Sequence, residues 1–381
     1  MYCSDETMTV QEVPAGIVLP RRGSAEGPRW GLGGVCDADN VFVTLSAYDG
    51  GWGKHGGYYP WQTEDYRDEE VVYFGPFFRH WGHFLVDLVG RAWFFTYRNP
   101  QPQHLKIAYL GEHDPSGNYL EFFELLGITP QQMIRITKPT RFKKVIVPQF
   151  SCRSCAWYTE EYRSIFDHMA RRVRAEDHAP AALKHLRKVY FSRLAFGKAK
   201  KTEAGEDQIA AWLNENGFSL IGPETLSLRD QIYLWNHADE VVCLNGSIPM
   251  NVAFSLNSDL RLLVLNKASR PHCNLDLFLM MRPCEATLLD AYREPIKGYP
   301  KTLGSGPFLL SMTDDLRQYS QQNHLEWPFT DHQLLINDRT NTGIVAFRIL
   351  KMNIRRKIIA PAFQIVPKGI KTRLQRLVAR T

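Results

Sequence analysis

No run of eighteen apolar residues occurs in the 381-residue sequence, so no stretch reads as a membrane-spanning helix. The opening residues, MYCSDETMTVQEV, have neither a basic start nor an apolar core, so no secretory signal is read there and a cytoplasmic protein is expected. Cysteine is sparse and odd in number, with seven scattered over the chain, which fits reduced thiols better than a disulfide framework. Cys152-Arg-Ser-Cys155 is a lone CxxC without a second pair at zinc-ligand spacing, so free thiols are expected there. Cys273 and Cys284, with His272, could complete a site only through long-range folding. Internal repeats and low-complexity tracts are absent. Acid is missing from one end: Arg348 to Thr381 holds ten Lys or Arg and no Asp or Glu. The formal net charge of +6 therefore belongs to the tail, because residues 1–347 hold 36 basic against 40 acidic side chains.

The length exceeds a single ordinary core, and three segments are expected: an N-terminal α/β domain over 1–180, a second α/β domain over 181–330, and a basic amphipathic tail over 331–381. In the first, Val71–Phe74, Ile107–Leu110 and Val145–Pro148 read as buried strands, and Tyr119–Leu126 reads as a helix closed by Gly127. Asp37-Ala-Asp39-Asn40 has the spacing of a metal-binding carboxylate pair. Its place between two apolar runs, with Val41–Leu45 read as the second strand, makes a hairpin turn the expectation instead. The run GGWGKHGGYYPW is read as a loop. Between Arg79 and Phe95, His80, His83 and Asp87 fall at i, i+3 and i+7 of an otherwise apolar helix, an expensive stripe to bury unless it is paired or faces a cleft. Residues 158–187 carry Tyr162, Ile165, Phe166, Met169 and Val173 at helical spacing, and a helix bridging the two halves is expected there.

The stretch Lys188–Phe254 alternates strand and helix. Val189–Phe191, Phe218–Ile221 and Val241–Leu244 are apolar runs. Between them lie one helical pattern ending at Asn216-Gly217 and another starting at Ser227 as N-cap. Strand ends that lead into helices bind anions through free N–H groups and the helix dipole, and Ser192-Arg193 and Asn245-Gly246-Ser247 stand at two such ends. Beyond them, Leu262–Leu265 reads as a strand and Thr313 as the cap of a further helix.

The ordered set Ser192, Arg193, Lys201, Glu206, Gly217, Phe218, Pro223, Glu224, Gln231, Ala238, Gly246, Ser247 and Asn251 resembles the C-terminal half of glycosyltransferase family 61. The family's N-terminal signature aligns on His83, Asp87 and Arg91, with Gly90 where the family has Pro. The last turn departs from the pattern, with Asn245 for His, Ser247 for Ala and Ile248 for Gly. The resemblance implies two Rossmann-like domains facing a cleft, the glycosyltransferase-B architecture, here followed by basic C-terminal helices. It also implies an inverting transfer from a nucleotide-diphosphate sugar to a hydroxyl of a glycan or lipid-linked glycan, in cell-surface polysaccharide assembly.

Such chemistry needs a base and counter-charge for the departing diphosphate. His83 oriented by Asp87 is the expected catalytic pair. Ser192, Arg193, Lys201, Glu224, Asn245, Gly246 and Ser247 are the expected donor contacts, and His80 and Arg91 are expected on the acceptor side. No metal and no cofactor are expected. The tail alternates its cations with Ile and Leu, so either an anionic membrane surface or the first domain is its expected partner. The rival class is a non-catalytic nucleotide- or nucleic-acid-binding protein. A nucleic-acid reader would interleave cations with aromatics, and the tail has only Phe347 and Phe363.

Overall fold

The computed structural model describes residues 2–51, 53–98, 105–197, 203–294, 299–303 and 306–354. It is a mixed α/β protein, and the chain divides into two compact units that interleave along the sequence. The first comprises Met1–Phe191, Ile221–Val264 and Pro271–Thr287, and the second Ser192–Leu220, Leu265–Arg270 and Leu288–Thr381. The chain thus leaves and re-enters each unit instead of passing once from one to the other near residue 180.

In the first unit, strands β1 (Val10–Pro14), β2 (Ile17–Arg22), β3 (Leu32–Cys36), β4 (Asp65–Pro76), β5 (Lys106–Leu110), β6 (Met133–Arg135) and β7 (Thr140–Pro148) form one sheet. Its order is β3-β2-β7-β4-β5-β6, with β1 on β7. The β7, β4, β5 and β6 neighbours run parallel, and β1, β2 and β3 add antiparallel. The central strands read as near-continuous apolar runs because both faces are covered, and Val71, Val72, Tyr73, Phe74, Ile107 and Ala108 are all buried. Helix α1 (Asn118–Leu125) ends before Gly127, whose φ is 82°.

Helix α2 (Glu160–Ala175) starts at the cap Thr159 and buries the expected face from Tyr162 to Val173. It stops twelve residues short of the expected end, at Asp177 with its positive φ and Pro180 with no N–H to donate. The helix lies within the first unit, where Phe166 packs edge-on against Phe254 and Phe278.

A second sheet of five strands contains β8 (Lys188–Phe191), β9 (Ser219–Ile221), β10 (Glu240–Leu244), β11 (Arg261–Asn266) and β12 (Glu285–Asp290), in the order β9-β8-β10-β11-β12. β8 and β10 are parallel, with Val189 opposite Val241. Within the second unit, helices α3 (Glu206–Glu215), α6 (Asp314–Gln322) and α7 (Asp331–Ile354) accompany a parallel pairing of Glu203–Ala204 with Phe308–Leu309. The helices between, α4 (Leu228–His237) and α5 (Cys273–Met281), belong to the first unit. Ser227 and Thr313 cap α4 and α6 as expected.

The expected basic amphipathic tail over 331–381 is, as far as Ile354, a single helix begun at Asp331. Residues 355–381 lie outside the described residues. No helix among the described residues is long and apolar enough to cross a membrane.

The thiols depart from expectation. Cys155 is bonded to Cys273, 118 residues away, with 5.3 Å between the Cα atoms, while Cys3, Cys36, Cys152, Cys243 and Cys284 are free. Cys155 has no local signal for this partner. The side-chain carbonyl of Asn274 accepts the Cys155 N–H at 2.6 Å and so holds the two segments together.

Candidate active site

The chain leaves the C-terminal end of β4 and makes one helical turn at Trp81–His83, which widens into a π-helical turn at Phe84–Leu88. Such widened turns are common at functional sites. His80 caps this turn: its Nδ1 accepts the N–H of His83 at 3.3 Å, and the residue is exposed. His83 and Asp87 are brought together, with Nδ1 2.7 Å from Oδ2 of Asp87. The carboxylate can only accept, so Nδ1 carries the proton and Nε2 the lone pair of a base. Asp87 is fully buried while the His83 side chain is 27% exposed, an arrangement in which the orienting group is dry and the base can be reached.

Tyr48 supplies what sequence reasoning missed. Its hydroxyl donates to the second carboxylate oxygen, Oδ1 of Asp87, and burial, followed by the Asp87 charge, pushes the phenol far above its usual range. Tyr48 therefore stays a donor. Its ring stacks on Trp30, with centroids 5.6 Å apart, and Trp30 meets the His83 ring edge-on at 5.7 Å. No local pattern links Tyr48 to Asp87 thirty-nine residues later. Only the hairpin that pairs Tyr48 with His55, whose returning strand lies inside the run read as a loop, delivers it.

Arg91, expected on the acceptor side, is wholly buried. Its Nε donates to the carbonyl of Pro148 at 2.8 Å, and its Nη2 donates to those of Leu45 and Ala47 at 2.8 and 3.1 Å. The guanidinium lies over Phe150 at 4.2 Å, and Phe150 packs on Tyr48. Arg91 thus fixes the backbone just before Tyr48 and cannot touch an acceptor. Two glycines permit this: a Cβ on Gly75, whose φ is 105°, would stand 2.9 Å from Nη1 of Arg91, and one on Gly90 would collide with the Phe150 ring. Phe150 therefore excludes any larger residue, the family's proline included, from position 90.

The loop after β10 lies beside this helix within the same unit, since a Cβ on Gly82 would be 3.4 Å from the Cβ of Ser247. Trp81 Nε1 donates to Asn251 Oδ1 at 2.7 Å, Asn251 Nδ2 to Gln231 Oε1 at 3.2 Å, and Gln231 Nε2 to the carbonyl of Pro223 at 3.0 Å. The His-bearing turn is thereby tied to the turn that carries Glu224, which is exposed. Asn245 is buried, and Gly246 and Ser247 are partly so. The helix expected to start after Ser247 is only a six-residue 3-10 stretch, Pro249–Phe254. Pro249 removes one N–H there, and the dipole of so short a piece is small.

His272 joins the group from α5, whose first turn it caps by accepting the Asn274 N–H at 3.2 Å. Burial, followed by the nearby His83, lowers its pKa. The disulfide at the adjacent Cys273 anchors it.

In the second unit Arg193, expected to face a diphosphate, pairs with Glu203, Nε to Oε2 at 3.1 Å, and Lys267 pairs with the other Glu203 oxygen. Burial lowers the Lys267 pKa, and Glu203 partly offsets this. The Glu206 carboxylate accepts the Arg193 N–H at 2.6 Å and the Ser192 hydroxyl at 3.1 Å. This strand end is therefore already supplied with carboxylates. Lys201 lies outside the described residues. Asp37 spends its Oδ1 on the N–H groups of Asp39 and Val41, at 3.0 and 2.8 Å, in the expected turn. Val41–Leu45 does not continue as a strand but ends in a 3-10 turn at Thr44–Ser46. Among the described residues no three His, Cys, Asp or Glu side chains gather as a metal would require.

His55 makes the hairpin under Tyr48 sensitive to acid. It is 1% exposed, its Nδ1 donates to the Trp30 carbonyl at 3.4 Å, and burial pushes its pKa down to about 4 from 6.5. The unfolded chain takes up this proton near pH 6.5 and the folded chain only near pH 4, so stability is complete above the higher value and falls as pH drops through the window. The expected loss is about 3 kcal/mol. Denaturant midpoints from pH 7 to pH 4 should show a steeper decline for the parent than for His55→Phe, and equal slopes would refute it.

A family model described as Glycosyltransferase 61 matches residues 81–262, from the turn bearing His83 and Asp87 to the start of β11. No curated protein matches the chain. The matched span takes in the Trp81–Asn251–Gln231–Pro223 chain of hydrogen bonds and the loop beside Gly82, and over residues 81–262 the chain is similar to glycosyltransferase family 61, a family of sugar transferases.

Proposed function

We propose that this protein moves a monosaccharide from a nucleotide-diphosphate sugar to a hydroxyl of a glycan, with inversion and without a metal, in the assembly of a cell-surface polysaccharide. The observation that carries the reading is the His83–Asp87 pair, 2.7 Å apart and beside the loop Asn245–Ser247. His83 Nε2 takes the proton of the attacking hydroxyl. Asp87 holds the tautomer and stabilises the imidazolium that forms, with Tyr48 fixing its other oxygen. Attack opposite the leaving diphosphate inverts the anomeric carbon in one displacement. The family match supports the transferase class. The reading carries with it the glycosyltransferase-B architecture that the resemblance implies.

The test is a panel of nucleotide sugars scored by thermal stabilisation, then by transfer of labelled sugar to glycan acceptors with and without EDTA. One donor is expected to raise the melting temperature and to be consumed equally in chelator. Stabilisation without transfer to any acceptor would favour a non-catalytic nucleotide-binding protein. Activity lost in EDTA and restored by Mg²⁺ or Mn²⁺ would refute the metal-free mechanism.

A further inference from the structure

We propose that the outward face of α7 is a docking face for an anionic lipid surface, separate from the transfer chemistry. The helix turns Leu334, Val345 and Ile349 inward, where Val345 and Ile349 join Ala268, Tyr299, Phe308 and Leu309 in the core of the second unit. At ~100° per residue, Ile336, Phe347 and Ile354 fall together on the opposite side, with Leu350 and Ile344 flanking them. These five are exposed by 50, 67, 41, 57 and 40% respectively. Large apolar side chains left in water along a single line mark an interaction surface.

The charges on this face are of one sign. Arg339 borders the stripe beside Leu350, and Lys351 stands between Ile344 and Phe347, both exposed. The one carboxylate of the helix beyond its first turn, Asp338, lies on the inner side, where it accepts from Ser311 Oγ at 2.6 Å and pairs with Arg293 at 3.0 Å. The sequence that follows α7 adds eight more Lys or Arg and no acid. An apolar stripe with cationic borders complements a bilayer interface that carries anionic headgroups, where apolar burial and charge attraction act together. A second copy of the same face would set these cations against one another. A nucleic acid would use the cations but leave the stripe in water.

The test is co-sedimentation of the full chain with phosphatidylcholine vesicles, with and without phosphatidylglycerol, at low and high salt. Binding is expected only to the anionic vesicles and to weaken with salt. Phe347→Glu with Leu350→Glu should weaken it by about tenfold or more, with the melting temperature unchanged. Phe347→Gln alone gives a milder variant should the double one fail to fold. Several outcomes would overturn the proposal: no sedimentation with anionic vesicles, equal binding by the folded stripe variants, or a parent dimer that these variants convert to monomer. An RNA gel shift insensitive to the stripe, without vesicle binding, would do the same.

Discussion

His83→Ala is expected to fold, to keep donor-induced thermal stabilisation and to lose transfer by roughly 10²–10⁴-fold, the usual worth of a general base. The ring is partly exposed, and Asp87, wholly buried, keeps the Tyr48 hydroxyl as a partner, so the substitution removes the base without orphaning the carboxylate. Asp87→Asn should cost nearly as much, because an amide can present an N–H to Nδ1 and so reverse the tautomer that leaves Nε2 as acceptor. A His83→Ala protein that unfolds would mean the histidine is a core residue. Undiminished transfer would move the base to His80, whose ring centroid lies 4.4 Å from that of His83, or to a residue outside this turn.

Replacing Arg91 by Met should destabilise the protein by about 3–5 kcal/mol, read as a shift in denaturant midpoint. Methionine fills much of the stem's volume but makes no hydrogen bonds, so the carbonyls of Pro148, Leu45, Ala47 and Phe74 lose their donors in a dry interior. Each buried orphan costs about 1–3 kcal/mol before relaxation. Burial lowers the guanidinium to about 10, which still leaves it charged at neutral pH. Arg91→Lys should recover little, because a single ammonium cannot reach carbonyls spread across the planar fork. Parent-like stability in Arg91→Met would show that the four carbonyls find other donors. The same loss should reach activity, since Leu45 and Ala47 lead directly into Tyr48, which steadies Asp87.

Strand and helix positions were legible in the sequence because they obey local periodicity. Val71–Phe74, Ile107–Leu110, Val189–Phe191 and Val241–Leu244 form strands where the apolar runs predict them, and Ser227, Thr313 and Gly127 stand at helix ends. The Asp37 turn was legible for the same reason, since its hydrogen bonds reach no further than Val41. So was the pairing of His83 with Asp87, four residues apart on one helical turn.

Tertiary structure decided whatever joins residues far apart in the chain. The sequence places Arg91 on the same row as His83 and Asp87, but the close approach of Phe150 and the carbonyls of three other segments turns it into the core. Arg193 looks like an anion-binding cation until Glu203 is found against it. Tyr48 and the Cys155–Cys273 bond were beyond reach for a single reason: a side-chain pairing across 39 or 118 residues leaves no periodic trace, because its geometry is set by the sheets and loops that carry the partners and not by the residues between them.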